Sequence, residues 1–436
     1  MLIVADFSAV PEPQVPAGKP RRVDLDNLEN IFARFSARLE LSLGNENIVL
    51  QPRSLDDLHP DGLFQLGCFE RLRALRARLA NPNSFAAALI ELRTFTGDGP
   101  KPQEAVTPSP ASACEPEAEM FERLLGRPRS TPAIPPVVPA VQALFRDAAA
   151  ANLAVANATD QHVAIAVLDL VIAAQMSAIL HTPAFQALEA AWRGVDFLAR
   201  RLELDEALQL YVLNLPSAVL HTGEGRQALT EALMLREDEA GWGLLVADCS
   251  FGNTAEDFEA LASLADLAQG AGALLMAAAD STWLDQIDQP GEQPWPQWDA
   301  VRGRPSAKSL ALLTPRFLLR LPYGAKTDPI ETFAFEEMPV PTATAYLWGN
   351  PALLGALVMA EAVAQGDGDL NPGEPREISG LPLHTYRQDG EARTTPCTER
   401  WISDGDAEVL LGCGLSPVSP RRGSDAVHVR LQNAAA

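Results

Sequence analysis

The sequence predicts a mixed α/β (α+β) protein. It has a small N-terminal α+β unit, a proline-rich linker and a larger α/β body with a parallel or mixed sheet. Three observations predict this. In the second half, the apolar runs Trp242–Ala247 and Ala273–Ala279 flank a helically spaced segment, Phe258 to Ala268, the pattern of parallel strands joined by a crossover helix. A stretch dense in proline, residues 96–139, interrupts the chain with a composition that favours extended linker. Charge divides along the same line: residues 1–95 carry 11 Lys+Arg and 12 Asp+Glu, and the remainder holds 23 and 45. Such asymmetry marks parts of different origin. The domains are therefore read as 1–95, 96–139 and 140–436.

Within residues 1–95, Leu2–Val4 is a short strand. Leu28, Ile31, Phe32 and Phe35 recur at helical spacing after Asp26 and Asn27, either able to cap. Leu39–Leu43 and Ile48–Gln51 form a hairpin across Gly44–Asn47. Pro60 starts a helix, and Phe69–Leu79 is a helix carrying Arg71, Arg73, Arg76 and Arg78. That cluster reads either as a solvated face or as a docking surface for the acidic remainder of the chain or a neighbour. In the linker, Glu119–Gly126 places Phe121, Leu124 and Leu125 on one helical face. It is either a turn that packs back on the body or a helical recognition peptide on a tether.

Beyond the linker, Val141–Ala156 and Asp160–Ile179 read as alanine-rich helices. Thr182 and Pro183 cap and open the next, whose stripe Phe185, Leu188, Trp192, Val195, Leu198, Leu202 belongs to the core. Leu208–Leu215 is a strand. The next strand, Trp242–Ala247, ends at Asp248; Thr254 with Asp257 then makes a capping box. Asp280–Arg304 reads as loop. Further strands fall at Leu310–Leu313, Leu383–Tyr386 and Val427–Leu431. Between Pro315 and Pro322, Arg316 and Arg320 are four apart, so one helical turn would place both cations on one side.

Composition narrows the function. A net charge of −23 repels nucleic acid and anionic lipid. The N-terminus lacks a basic n-region, and no apolar stretch approaches membrane-helix length, Ala164–Ala174 being broken by Asp169; membrane insertion is not expected, and a cytoplasmic location is. Five scattered cysteines without a CxxC fit a reduced compartment. Asp248 and Asp280 stand near strand ends, where an α/β sheet could hold a ligand. No glycine-rich phosphate loop, metal-spaced histidine pair or nucleophile elbow accompanies them. Adjacent Glu336 and Glu337 point different ways. His384 reads as a strand histidine. Neither an enzyme activity nor a cofactor is expected.

The segments PRFLLRLPYG (315–324), FAFEE (333–337), YLWGN (346–350) and GLPLHTY (380–386), with Trp192-Arg193 in PAFQALEAAWRGVDFL, closely resemble the large subunit of the type VI secretion contractile sheath. Asp6-Phe7, VDLDN (23–27) and RSLDDLHPD (53–61) are similar to its small subunit. The resemblance implies a fusion of both halves in a structural sheath component, with a large-subunit region that lacks the family's C-terminal segment. An accessory or terminal sheath role follows, or that of a non-polymerising adaptor. It implies as partners other sheath subunits or copies of the chain, the inner tube, the baseplate and the AAA+ ATPase that disassembles sheath. The candidate contacts are Arg71, Arg73, Arg76, Arg78, Phe121, Leu124, Leu125, Arg316 and Arg320.

Overall fold

The computed structural model describes residues 1–10, 18–43, 46–95, 161–235, 241–287, 296–366 and 371–435. They form two compact units: one draws on 1–42, 46–69 and 179–435, the other on 43, 70–95 and 161–178. The proline-rich linker, the Glu119–Gly126 segment and the Val141–Ala156 segment lie outside the described residues.

The larger unit begins with β1 (Leu2–Ala5), β2 (Arg21–Val23), α1 (Leu28–Phe35), the ribbon β3 (Leu39–Leu43) with β4 (Glu46–Leu50), and α2 (Pro60–Gln65). The smaller unit holds α3 (Glu70–Ala80), α4 (Phe85–Phe95) and most of α5 (Gln161–Leu180). The larger unit resumes with α6 (Pro183–Arg201), β5 (Leu210–Asn214), α7 (Gly223–Met234), β6 (Leu244–Phe251), α8 (Ala255–Gly270) and β7 (Leu274–Ala279). There follow α9 (Ser281–Ile287), α10 (Pro296–Arg302), β8 (Leu310–Thr314), β9 (Phe317–Leu318), β10 (Trp348–Gly349) and α11 (Ala352–Ala364). The last elements are β11 (Pro375–Ile378), β12 (His384–Gln388), β13 (Glu391–Thr395), α12 (Asp404–Gly412), β14 (Ser416–Pro420) and β15 (Val427–Arg430).

Nine strands form the central sheet in the order β11-β15-β14-β8-β7-β6-β1-β5-β2. From β14 to β5 neighbours are parallel, with antiparallel strands at both edges. A parallel sheet covered on both faces demands continuous apolar strands. LIVA of β1, LLMAAA of β7 and LALLT of β8 supply them, almost wholly buried. β1 sits between β5 and β6, in register Leu2 to Tyr211 on one side and Leu2 to Leu245 on the other. Around this sheet, Phe258, Leu261, Trp283, Trp298, Leu312 and Leu410 share one buried cluster.

The mixed sheet, the β6–α8–β7 unit and the Thr254–Asp257 capping box agree with the sequence reading. Other elements differ from it. Asp280–Arg304, read as loop, contains α9 and α10, whose Trp283 and Trp298 are buried; burial of two indoles overrides the local proline and glycine content. β6 does not end at Asp248. It runs to Phe251, with a register shift between Val246 and Ser250 that sets Asp248 at an irregularity inside the strand. Arg316 and Arg320 do not share a helical turn, because the chain between them is the short extended β9. Thr182 stands at the N-cap of α6 without capping it; its hydroxyl donates to Ile179 O at 2.8 Å instead.

Nor does Asp169 interrupt an apolar stretch. α5 is 20 residues long and holds an 18-residue stretch with a mean hydropathy of 2.3, long and apolar enough, by length and composition, to cross a membrane. In the smaller unit the Arg76 guanidinium grips the Asp169 carboxylate at 2.7 and 3.1 Å, and Gln161 Nε2 donates to Leu79 O at 2.7 Å. Both contacts join α5 to α3, the arrangement of helices in a protein core.

Candidate functional site: a buried ion network under the sequence motifs

α6 presents a buried face of Phe185, Leu188, Trp192, Val195 and Leu198, and Glu189 lies within it, wholly buried. A lone carboxylate there would be driven to protonate. Two guanidinium groups prevent this. Arg193, one turn along α6, donates Nε to Glu189 Oε1 at 2.7 Å. Arg320 donates Nε to Oε1 at 2.7 Å and Nη2 to Oε2 at 3.1 Å. Arg320 then reaches a second carboxylate: Nη1 to Glu337 Oε2 at 2.7 Å and Nη2 to Oε1 at 3.1 Å. Tyr323 closes the group. Its N–H donates to Glu337 at 2.8 Å, its hydroxyl accepts from Arg193 at 2.7 Å, and its ring lies 4.1 Å under the Arg320 guanidinium.

Two cations thus face two anions, with the forked geometry that suits buried arginine–carboxylate pairs. Desolvation raises the Glu337 pKa, but the Arg320 charge and the hydrogen bonds outweigh it and leave the group at about 2. Glu189 is likewise raised by burial and then lowered by Arg320 and Arg193, with a net downward shift. Arg320 and Arg193 are correspondingly raised, their burial outweighed by the carboxylates. His181 Nε2 stands 3.4 Å from Glu337 Oε1. Glu336 turns away from this group to accept from Ala325 N–H at 3.0 Å, the divergence expected of neighbouring carboxylates.

The motifs from the two ends of the chain meet around this network. In α2, His59 Nδ1 accepts from Asp61 N–H as the N-cap, and the His59 ring stands edge-on to Tyr323 with centroids 4.8 Å apart. Asp61 accepts from Glu331 N–H at 3.0 Å, Thr332 N–H at 3.1 Å and the Thr332 hydroxyl at 2.6 Å. These bonds outweigh desolvation and hold its pKa below the ordinary value. Phe64 packs on Phe333. From the same buried face of α6, the Trp192 indole donates to Phe7 O at 3.1 Å and lies among Phe7, Phe32 and Phe35. Trp192 is the packing anchor its place in the stripe predicts.

YLWGN and GLPLHTY also hold chain to chain. The Tyr346 hydroxyl meets His384 Nδ1 at 2.7 Å, and burial lowers the His384 pKa. Asn350 Nδ2 donates to Cys249 O at 3.1 Å, and its oxygen accepts from Ala352 N–H at the start of α11. At Gly349 a Cβ would stand 2.6 Å from Leu319 Cγ, so β10 can approach β9 only with glycine there.

Of the expected contact residues, Arg320 is buried in the network and Arg76 is paired with Asp169. Arg78 pairs with Glu91, Arg71 stands 3.9 Å from the same carboxylate, and Arg73 is half-buried. Arg316 is exposed and paired with Glu399. Phe121, Leu124 and Leu125 lie outside the described residues. Sequence reasoning missed Glu189 and Tyr323. The available signal for Glu189 was a glutamate inside an apolar stripe, four residues before an arginine. Asp280, just ahead of α9, accepts from Thr282 N–H at 2.9 Å. Desolvation pushes the Asp248 carboxyl up to about 6. Among the described residues no group of three His, Cys, Asp or Glu side chains is placed to hold a metal. Burial raises the Cys397 thiol to about 11 and Cys249 further, which keeps both protonated and unreactive. The arrangement is chemically suited to holding distant segments in one geometry.

Comparison with known proteins agrees with this structural character. The VipB family model, described as EvpB/VC_A0108, tail sheath N-terminal domain, matches residues 162–232 and 238–435. The type VI secretion system sheath protein TssC1 of Pseudomonas aeruginosa is 31% identical over 299 residues, 60% of this chain. The match spans 58% of that relative's own length.

Proposed function

Because the chain belongs to the VipB tail-sheath family, we propose that it is a structural subunit of a type VI secretion contractile sheath. It works in the cytoplasm and assembles through protein–protein contacts with other sheath subunits or with copies of itself. The inner tube, the baseplate and the disassembling ATPase are its further partners in this reading, and an accessory or terminal position is its place in the assembly. Residues 1–95 act as the small-subunit-like region, 96–139 as the linker and 140–436 as the large-subunit-like region. Among the described residues, Arg71, Arg78 and Arg316, all exposed, are the contact candidates that remain at the surface.

The observation that carries the reading is how the family-like motifs are used. Glu189, Arg193, Arg320, Tyr323 and Glu337 are spent on one another, His59 packs on Tyr323, and Asp61 and Phe7 tie the N-terminal segment to Thr332 and Trp192 nearby. Such a network makes a stiff body, as a force-bearing helical array requires. The test is negative-stain electron microscopy of the purified chain, with and without ordinary sheath subunits from the same cell. Particles at tubule ends support the reading in full; rings or tubules from the chain alone support a sheath subunit and overturn the accessory or terminal position. A chain that neither assembles nor associates with sheath overturns it.

A further inference from the structure

Near one edge of the central sheet an indole stands in solvent with a cation over it. Trp401 is 44% exposed, next to the buried Ile402. The exposed Arg422 guanidinium lies 5.9 Å from its ring centroid. Arg422 belongs to the turn 421–424 between β14 and β15, closed by Ser424 N–H to Arg421 O at 3.2 Å. Arg421 is engaged with Glu377, and Arg400 with Asp285. Arg422 meets no carboxylate among the described residues. Tryptophan and arginine are the side chains that most often anchor protein contacts, and this pair has apolar area and charge to offer.

The other edge of the sheet carries the complement. α1 follows the edge strand β2 and packs on it. Just ahead of and within its first turn, Leu25 is 51% exposed, and Asp26 and Glu29 are exposed too. Leu55 N–H donates to Glu29 Oε2 at 3.1 Å, which brings Asp56 and Asp57 to α1. Burial raises the Glu29 pKa, the Leu55 amide lowers it, and Asp56, Asp196 and Asp57 add to the rise. Of these carboxylates, Asp196 is answered by Arg200. The β2 cations are turned elsewhere, Arg21 over the Phe35 ring and Arg22 to Asp205 O at 3.4 Å. Both surfaces belong to the larger unit. Between β15 and β2 stand β14, β8, β7, β6, β1 and β5, roughly 30 Å of sheet at the ordinary strand spacing. One molecule cannot bring the two surfaces together.

We propose that Trp401 and Arg422 of one copy dock on Leu25, Glu29 and Asp56 of the next, a head-to-tail contact between copies of this chain. The indole covers the exposed leucine, and the cation without a carboxylate meets crowded carboxylates. A net charge of −23 sets copies against one another at long range, so their association needs a local match of this kind. A contact between unlike faces leaves one of each open at the ends and propagates. This deepens the sheath reading, and rests on that part of it in which copies of the chain are its partners.

The test is sedimentation velocity of the full chain over a concentration series, at low and high salt. The parent is expected to associate, and less so at high salt, where charge pairing is screened. One variant carries Trp401→Ser with Arg422→Ser, and the other Glu29→Gln with Asp56→Asn. Each should weaken association at least ten-fold. All four side chains are exposed, so the far-UV spectrum and melting temperature should stay those of the parent. Arg422→Ser alone, which leaves the indole in place, should give part of the loss. The two double variants mixed in equal amounts keep one intact surface each, and should form dimers that grow no further. The proposal is overturned if the parent stays monomeric, if either double variant associates as tightly as the parent, or if the mixture forms no dimer. A monomeric chain that still binds sheath tubules would overturn this contact and leave the sheath reading standing. Copies that join through these surfaces but never enter a sheath would do the reverse.

Discussion

Removing one member of a buried ion group leaves its partners charged and unmatched, which costs about 3–5 kcal/mol. Arg320→Met is the sharpest case, because Glu189 and Glu337 would then face each other without the cation between them. Urea unfolding at neutral pH should show a loss of that size with the slope unchanged. The pH dependence follows from Glu337. Its folded pKa of about 2 lies below the ordinary 4.5, so its contribution is present above about pH 4.5 and is lost as pH falls toward 2. The gap between variant and parent should therefore narrow in acid. Asp248 has the opposite sign. Its folded pKa of about 6 exceeds the ordinary 3.8, so ionisation penalises the fold as pH rises through that window. Asp248→Asn should gain about 3 kcal/mol at pH 7 and under about 1 kcal/mol at pH 4; thermal melts at the two values decide it. Residue types alone could not reveal either role. Arg320 looked like a surface cation because its partners, Glu189 and Glu337, are 131 and 17 positions away, and spacing reports only near neighbours.

Elements were legible where local chemistry and tertiary demand agree. Thr254 and Asp257 make a reciprocal capping box at the start of α8, so Thr254→Ala should lower stability by about 1 kcal/mol, read from the denaturation midpoint. The same box, Ser403 with Asp406, opens α12, a helix the sequence reading passed over because its nine residues are too few for a clear apolar period. Proline and glycine between 290 and 305 argued for loop over Asp280–Arg304, yet α9 and α10 form within that stretch because Trp283 and Trp298 pack edge-to-face at 5.3 Å over Phe258. Each indole also finds a carbonyl, Phe251 O and Cys413 O, which satisfies the only polar atom it buries. Propensity lost to packing in that stretch. β11, β13 and β14 escaped notice for a different reason: PREI, EARTT and SPVSP lack the β-branched alternation that identifies a strand by itself.

At the scale of the whole molecule, the fold class and the parallel β6–β7 pair could be read from the sequence, and so could the strand at Leu2. What could not be read was that strand's neighbours. Pairing of Leu2 with Tyr211 and Leu245 depends on the path of the chain through space, and four apolar residues fit any buried slot equally well. The seating of β1 closes the sheet between β5 and β6. It carries a consequence for biosynthesis. Leu2 leaves the ribosome about 210 residues before Tyr211 of β5, the first of its partners to emerge, and at roughly 5–20 residues per second that is a wait on the order of 10–40 s. Throughout that interval Leu-Ile-Val-Ala has no strand to pair with and is a natural substrate for a trigger-type chaperone, so the yield of native protein should depend on translation speed more steeply than its stability would suggest.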